Sequence, residues 1–97
     1  MREGDRTLNE VLGAVAQYFA ISREHLVSGR GARQPRSVAM YLALRLTRRS
    51  LLQIGRRFGG VSSTNVMHAV YSIERDMTGD AEFATEIAAL KALLLAR

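Results

Sequence analysis

Four small polar residues, Ser62, Ser63, Thr64 and Asn65, follow a glycine pair and open an apolar helical pattern. An Asn side chain can form two hydrogen bonds with adenine, Ser and Thr can serve several bases, and the Thr methyl group can contact a thymine methyl. Because the four side chains are small, they also permit close approach of another molecule. At the start of a helix, the free backbone N–H groups add an attraction for phosphate. These residue types therefore suit contacts with base edges and phosphates.

Positive charge is concentrated around this tetrapeptide. Between Glu24 and Glu74 the sequence contains no acidic residue but eight arginines, at positions 30, 33, 36, 45, 48, 49, 56 and 57. Residues 1–60 hold eleven arginines against four acids, whereas residues 61–97 hold three basic residues against five acids. Such a polarised charge distribution is typical of a surface that binds a polyanion. We therefore expect nucleic acid as the partner, and double-stranded DNA in particular.

Helices must position these residues, because the apolar spacing is helical along the whole chain and no strand-like alternation is present. An apolar stripe over residues 8–19 predicts a first helix, with Thr7 or Asn9 as its N-cap. A short helix is expected over Ser22–Val27, and Pro35 suits the first turn of a third helix. A break at Thr78-Gly79-Asp80 precedes a final helix. The prediction is an all-α fold, a compact bundle of about six helices.

A helix-turn-helix is predicted at about residues 50–76. Ser50 is the expected N-cap of a short helix over Leu51–Phe58, and Gly59-Gly60 ends it because glycine adopts a left-handed φ without penalty. The second helix runs over Ser62–Asp76, capped by Ser62 or Ser63. In such a motif the first helix braces the second, whose first residues reach base edges in the major groove. The alternative is a plain helical hairpin in which Ser62–Asn65 serve only as a cap.

Composition limits the remaining possibilities. The length of 97 residues, 47% of them hydrophobic, predicts a single domain over residues 1–97. The absence of cysteine excludes disulfides and thiolate zinc sites. His25 and His68 have no neighbouring acid pair, so neither a metal site, a cofactor nor a small-molecule substrate is expected, and nothing indicates an enzyme. No stretch approaches about 18 uninterrupted apolar residues, so we expect a cytoplasmic protein without membrane contact.

The span LTRRSLLQIGRRFGGVSSTNVMHAVYSIE (residues 46–74) resembles the C-terminal DNA-binding domain of the bacterial replication initiator DnaA. The family pattern has S-L-x-x-I-G-x-x-F-G-G, then R-D-H-T-T-V-x-H-A, then an isoleucine-glutamate pair. The likeness extends to Tyr18–Ile21, to Pro35-Arg36 and to the last helix, so it covers about residues 7–97. It implies an all-helical fold whose helix-turn-helix reads the major groove, with a basic loop before the long middle helix reaching the minor groove. No nucleotide-binding motif of the initiator's ATPase module is present.

The resemblance also suggests roles for individual residues. Ser62, Ser63, Thr64 and Asn65 fall at the base-reading positions, but only Thr64 keeps the family residue, and Ser62 and Ser63 replace an Asp and a His. Since serine discriminates bases weakly, we expect a target other than the family's usual origin box. The expected backbone or minor-groove contacts are Arg30, Arg33, Arg36, Ser37, Arg48, Arg49 and His68. The basic loop is about three residues shorter than in the family, and either Arg30 or Arg33 could enter a narrow minor groove.

The biological role is left open at this point. The resemblance is compatible with a replication-initiator domain or with a copy appended to a transposase of the repetitive-palindrome type. A larger parent polypeptide is possible. A different class of function is a protein-protein interaction module, in which the apolar segment Ala88–Arg97 forms a weak homodimer through Leu93 or Leu95. RNA binding is less favoured, because the chain lacks the aromatic stacking surface that single-strand recognition uses.

Overall fold

The computed structural model describes residues 6–29 and 33–96, and these residues form six α-helices and no β-strand. The helices are α1 (Leu8–Phe19), α2 (Arg23–Ser28), α3 (Arg33–Leu46), α4 (Leu51–Arg57), α5 (Ser63–Gly79) and α6 (Ala81–Leu95). The all-helical bundle expected from the sequence is confirmed.

Side-chain caps fix where most of the helices begin. The expected caps Thr7, Ser22, Ser50 and Ser62 each have extended backbone angles and accept a hydrogen bond from the backbone N–H three residues later. At the first and third of these positions, a side chain of the helix also accepts from the cap's own N–H, which completes a capping box. Local polar residues therefore define where these four helices begin.

The predicted break at Thr78-Gly79-Asp80 is wrong by two residues. Helix α5 continues through Gly79, and Asp80 alone separates it from α6. The Thr78 hydroxyl donates to the carbonyl oxygen of Glu74 at 3.0 Å, so this side chain is satisfied inside the helix. Asp80, with φ −142° and ψ 102°, ends α5, and its carboxylate accepts from the N–H of Phe83 to cap α6. Helix α5 thus ends at Asp80, the residue that caps α6, and not at Gly79.

Helix α3 lies at the centre of the bundle and packs mainly against α5 and α1, while α5 also contacts α4 and α6. The core is a single cluster in which every helix buries at least one side chain; the largest fully buried members are Phe58, Leu12, Leu26, Leu42, Leu46, Ile54, Ile73, Leu90 and Leu94. Burial of this apolar surface holds α3, α4 and α5 in one fixed relation. Among the residues that the structure describes, no helix combines the length and apolar composition of a membrane span.

Polar side chains add ties between distant helices. Arg6 is only 8% exposed: its backbone N–H donates to the carbonyl oxygen of Leu46, and its guanidinium donates to the carbonyl oxygen of Leu94 and to Glu10. Near the end of α1, the Tyr18 hydroxyl donates to Glu86 at 2.6 Å. That hydrogen bond, followed by burial and by the charge of Glu86, raises the pKa of Tyr18 above its ordinary value. The N-terminal segment is therefore joined to the ends of α3 and α6.

Candidate nucleic-acid interface

A tight corner between α4 and α5 sets the direction of α5. Gly59 and Gly60 have φ values of +86° and +91°, which a residue with a side chain rarely adopts. The carbonyl oxygen of Gly55 accepts hydrogen bonds from the N–H groups of Gly60 and Val61 at 3.0 and 2.9 Å. A Cβ atom at residue 55 would lie 1.9 Å from the carbonyl oxygen of Val61. Only glycine at this position lets the turn fold back onto α4.

The corner presents the first turn of α5 at the surface. Ser62 is exposed, and its hydroxyl accepts the N–H of Asn65 at 3.2 Å. Thr64 and Asn65 are exposed, whereas Ser63 is half-buried. Val66 and Val70 are buried on the opposite side of the helix and attach it to the core. The polar start of α5 thus projects away from the bundle, where its side chains are accessible to another molecule.

A groove of about 780 Å³ separates the first turns of α3 from α5. Six of the residues singled out from the sequence line it: Arg33, Arg36, Ser37, Ser62, Asn65 and His68. Within the described part of the chain, no acidic side chain lines this groove. Residues that lie about thirty positions apart in the sequence are therefore brought to one basic face.

Arg36 has a structural partner at the edge of this groove. Its Nη2 donates to the carbonyl oxygen of Phe58 at 2.8 Å, and its Cζ lies 5.9 Å from the centre of the Phe58 ring. Its Nε is buried and has no hydrogen-bond partner among residues 6–29 and 33–96. The guanidinium therefore braces the end of α4 from α3, in addition to placing positive charge beside the groove.

The other candidate residues lie elsewhere. Arg48 and Arg49 are exposed in the connection between α3 and α4, and Arg49 lines a separate cleft that also contains Thr7 and Asn9. Ser63 and Thr64 lie between Ser62 and Asn65 in the sequence, but they do not line the groove. Arg30 lies outside the described residues.

One arginine of the acid-free segment is neutralised within the fold. The Arg45 guanidinium on α3 donates to the carboxylate of Glu74 on α5, and its Cζ lies 5.6 Å from the centre of the Tyr41 ring. The hydrogen bond to Glu74 raises the pKa of Arg45 further above its ordinary value, although burial opposes the shift. The positive charge that this segment can offer to DNA is therefore smaller than its number of arginines indicates.

Three further residues contribute to this surface but were not identified from local sequence patterns. Gly55 shapes the corner, while Arg23 on α2 and Arg57 at the end of α4 line a second basic cleft. Gly55 is signalled only by the family likeness, and the two arginines meet only in the folded chain. On α6, Leu93 is exposed and Leu95 is partly buried against the core.

Two helices at a tight glycine corner, with the exposed polar start of the second beside a basic groove, define a DNA-binding helix-turn-helix domain. The family model described as the bacterial DnaA protein helix-turn-helix matches residues 8–73. The chain belongs to this family, which confirms the resemblance noted in the sequence.

Several curated relatives are similar to the chain, and each is a chromosomal replication initiator protein DnaA. The relative from Bartonella quintana is 47% identical over 90 residues, which cover 90% of this chain and 18% of the relative. The relative from Rhizobium johnstonii is 43% identical over 90 residues, which cover 90% of this chain and 19% of the relative. The relative from Cereibacter sphaeroides is 42% identical over 101 residues, which cover 99% of this chain and 22% of the relative. The chain thus spans about a fifth of the length of these relatives.

Proposed function

We propose that the protein binds double-stranded DNA with a preference for sequence, by placing the start of α5 in the major groove and an arginine-rich rim on the flanking backbone. The observation that carries this proposal is the groove between α3 and α5. It joins the exposed polar start of a helix to Arg33 and Arg36, and no carboxylate among the described residues lines it. A B-DNA major groove admits a single α-helix, and phosphates of the adjoining strands require cations on either side of it.

Base recognition is assigned to the exposed polar residues of the first turn. Asn65 can form two hydrogen bonds with adenine, and Thr64 can offer both a hydroxyl and a methyl group to a base edge. Ser62 and Ser63 contribute less discrimination, because a hydroxyl can donate or accept. In addition, the Ser62 hydroxyl is already used as the helix cap. Preference should therefore reside mainly in Thr64 and Asn65.

Backbone contacts are assigned to the residues around this turn. Arg33, Arg36 and Ser37 project from the first turns of α3, and His68 lies one helical turn beyond Thr64 on α5. Arg48 and Arg49 extend the rim in the connection that precedes α4. In this arrangement Arg30 or Arg33 enters the minor groove beside the recognised bases, where a narrow groove favours arginine.

The relatives are chromosomal replication initiator proteins, and we propose that this chain takes part in the same process. A copy attached to a transposase finds no support in these relatives. The replacement of the Asp and His expected at positions 62 and 63 implies a target that differs from the family's usual origin box. Selection from randomised duplexes would identify the target directly.

Fluorescence anisotropy with a labelled duplex tests the proposal. Neutralisation of roughly five phosphates predicts that log K falls against log salt with a slope of about −4 to −5. Thr64→Ala and Asn65→Ala should each reduce the preference for particular base pairs by about 1–3 kcal/mol while leaving that slope unchanged. Arg48→Ala should instead lower affinity equally for all sequences. Binding that does not depend on salt between about 50 and 200 mM would refute the proposal.

A further inference from the structure

A second basic cleft lies on the other side of Arg36 from the groove. It has a volume of about 540 Å³ and is enclosed by α2, the first turns of α3 and the end of α4. Arg23 and Glu24 line it from α2, Arg36 from α3, and Arg57, Phe58 and Gly59 from the end of α4. The sequence-based assignment of DNA contacts included neither Arg23 nor Arg57.

The positive charges of this cleft are not neutralised within the described chain. Arg23 has no hydrogen bond or ion pair with residues 6–29 or 33–96. Arg57 donates only to the amide oxygen of Asn9, at 3.3 Å, and Arg36 donates to a backbone carbonyl. Glu24 is the one carboxylate among the described lining residues, against three guanidinium groups. An anion in the cleft would therefore meet an excess of cationic donors, and guanidinium groups match the geometry of phosphate oxygens.

The guanidinium of Arg23 lies against α1, where a glycine leaves room for it. A Cβ atom at Gly13 would lie 2.4 Å from Nη2 of Arg23. Because the side chain rests on the backbone of a neighbouring helix, less rotamer freedom remains to be lost when a ligand binds.

The cleft and the groove between α3 and α5 adjoin one another. Arg36 lines both of them. In addition, Ser28 lines the cleft while the next residue, Gly29, lines the groove, and the same holds for Gly59 and Gly60. Apart from the glycine and its chain neighbours, no described residue has an atom within 4 Å of where a Cβ of Gly59 or Gly60 would lie, so a polymer can pass close to this corner. A duplex seated on the groove would therefore run past the mouth of the cleft.

We propose that this cleft receives a phosphate of the DNA backbone outside the base pairs that α5 reads, with Arg23 and Arg57 as the contacting residues. The inference rests on the proposed function and extends the DNA footprint from the helix-turn-helix to α2. Its ligand is a phosphodiester, so the contact adds affinity and fixes orientation without adding sequence preference.

Substitution of the two arginines tests the assignment on a duplex that extends a full helical turn beyond the selected bases. Arg23→Gln, Arg57→Gln and the double variant remove charge while keeping polar side chains. Each single variant should weaken binding, and the double variant should reduce the magnitude of the salt slope by about 0.9, the value for one phosphate. Because both residues contact the same phosphate, neither single variant should reduce the slope by more than the double variant does. The order of preference among duplexes should not change, and hydroxyl-radical protection should disappear at one backbone position beyond the recognised bases.

Matched controls separate this contact from general effects of charge or folding. Lys91→Gln removes the same charge from α6, which does not line the cleft, and should leave the footprint unchanged. Asn9→Ala removes the neutral partner of Arg57 but keeps its charge, and should keep the salt slope. Circular dichroism melting of each variant shows whether the fold is retained.

The outcomes distinguish this inference from the proposed function. If the unmodified protein does not bind duplexes, both fail. If it binds and the double variant retains the full slope and footprint, only the cleft assignment is overturned. Equal loss of slope in Lys91→Gln would overturn it as well, because the effect would not be specific to the cleft. Calorimetry with inorganic tripolyphosphate gives a further arm: binding that depends on Arg23 and Arg57, together with an unchanged DNA slope, would identify a site for small free phosphates instead.

Discussion

Gly55→Ala should disrupt the corner between α4 and α5. The added Cβ would lie 1.9 Å from the carbonyl oxygen of Val61, which is backbone and can move only if the turn opens. Opening would weaken the two hydrogen bonds that the Gly55 carbonyl accepts from Gly60 and Val61. Their loss costs about 1–3 kcal/mol, and residual overpacking costs about 1–3 kcal/mol. Because alanine gains about 1 kcal/mol in helix propensity, the expected net destabilisation is about 1–5 kcal/mol.

Urea unfolding followed by circular dichroism measures this difference. Gly79→Ala is the matched control, since residue 79 is also helical, has open space around its Cβ position and does not have a positive φ. It should stabilise the protein by about 0.5–1 kcal/mol. A Gly55→Ala variant that unfolds at the same urea concentration as the unmodified protein would show that the corner does not require glycine. Under conditions where that variant remains folded, it should also bind DNA less tightly, because α5 would be displaced relative to α3.

Two further predictions concern side chains that join helices. Arg36→Gln should lower both stability, by about 1.5–3 kcal/mol, and DNA affinity, because its guanidinium also holds the carbonyl at the end of α4. Arg33→Gln should lower affinity alone, and equal urea midpoints for the two variants would contradict the bracing role. Tyr18→Phe should lower the stability of the folded protein only at pH values where the Tyr18 hydroxyl is neutral. Since the folded protein raises the pKa of Tyr18 above 10.0, the neutral hydroxyl favours folding below the unfolded value, and this contribution disappears as pH rises through the folded value. Melting temperatures of the two proteins should therefore differ at pH 8 and converge once the pH exceeds the raised pKa of Tyr18. A difference independent of pH would be evidence against the hydrogen bond to α6.

Local patterns were sufficient to predict the helices and their starts, because a hydroxyl cap and the apolar stripe that follows it act over a few residues. The end of α5 was misplaced because Gly79 weakens a helix only slightly, whereas the cap at Asp80 determines where the next helix begins. Arg6 has no local signal, since its burial depends on Leu46 and Leu94, which come much later in the chain. The same holds for the bracing contact of Arg36, whose partner is 22 residues away.

The groove between α3 and α5 is formed by residues that lie far apart in the sequence. The sequence analysis identified many of these residues but not how they are arranged in space. Charge counting identified the arginines, but not that Arg45 is paired with Glu74. Nor did it show that Arg49 faces a different cleft from Arg33. The proximity of two exposed residues can be inferred from sequence only when the packing of the helices that carry them is known. Here that packing is the contact of α3 with α5, which the helix pattern alone does not specify.

Under the proposed function, stability and base recognition are coupled at the first turn of α5. The hydroxyl of Ser62 holds the N–H of Asn65, so the side chain proposed to read a base is fixed by the residue that caps the helix. On the other side of the corner, Arg36 holds the carbonyl of Phe58 and thereby the direction in which α5 begins. A preformed turn loses little freedom on binding, and this favours discrimination by few side chains. Under the proposed function, affinity would depend chiefly on phosphate contacts around the turn, whereas preference would depend on the geometry of the turn itself. Changes in charge and changes in the corner should therefore alter DNA binding in two separable ways.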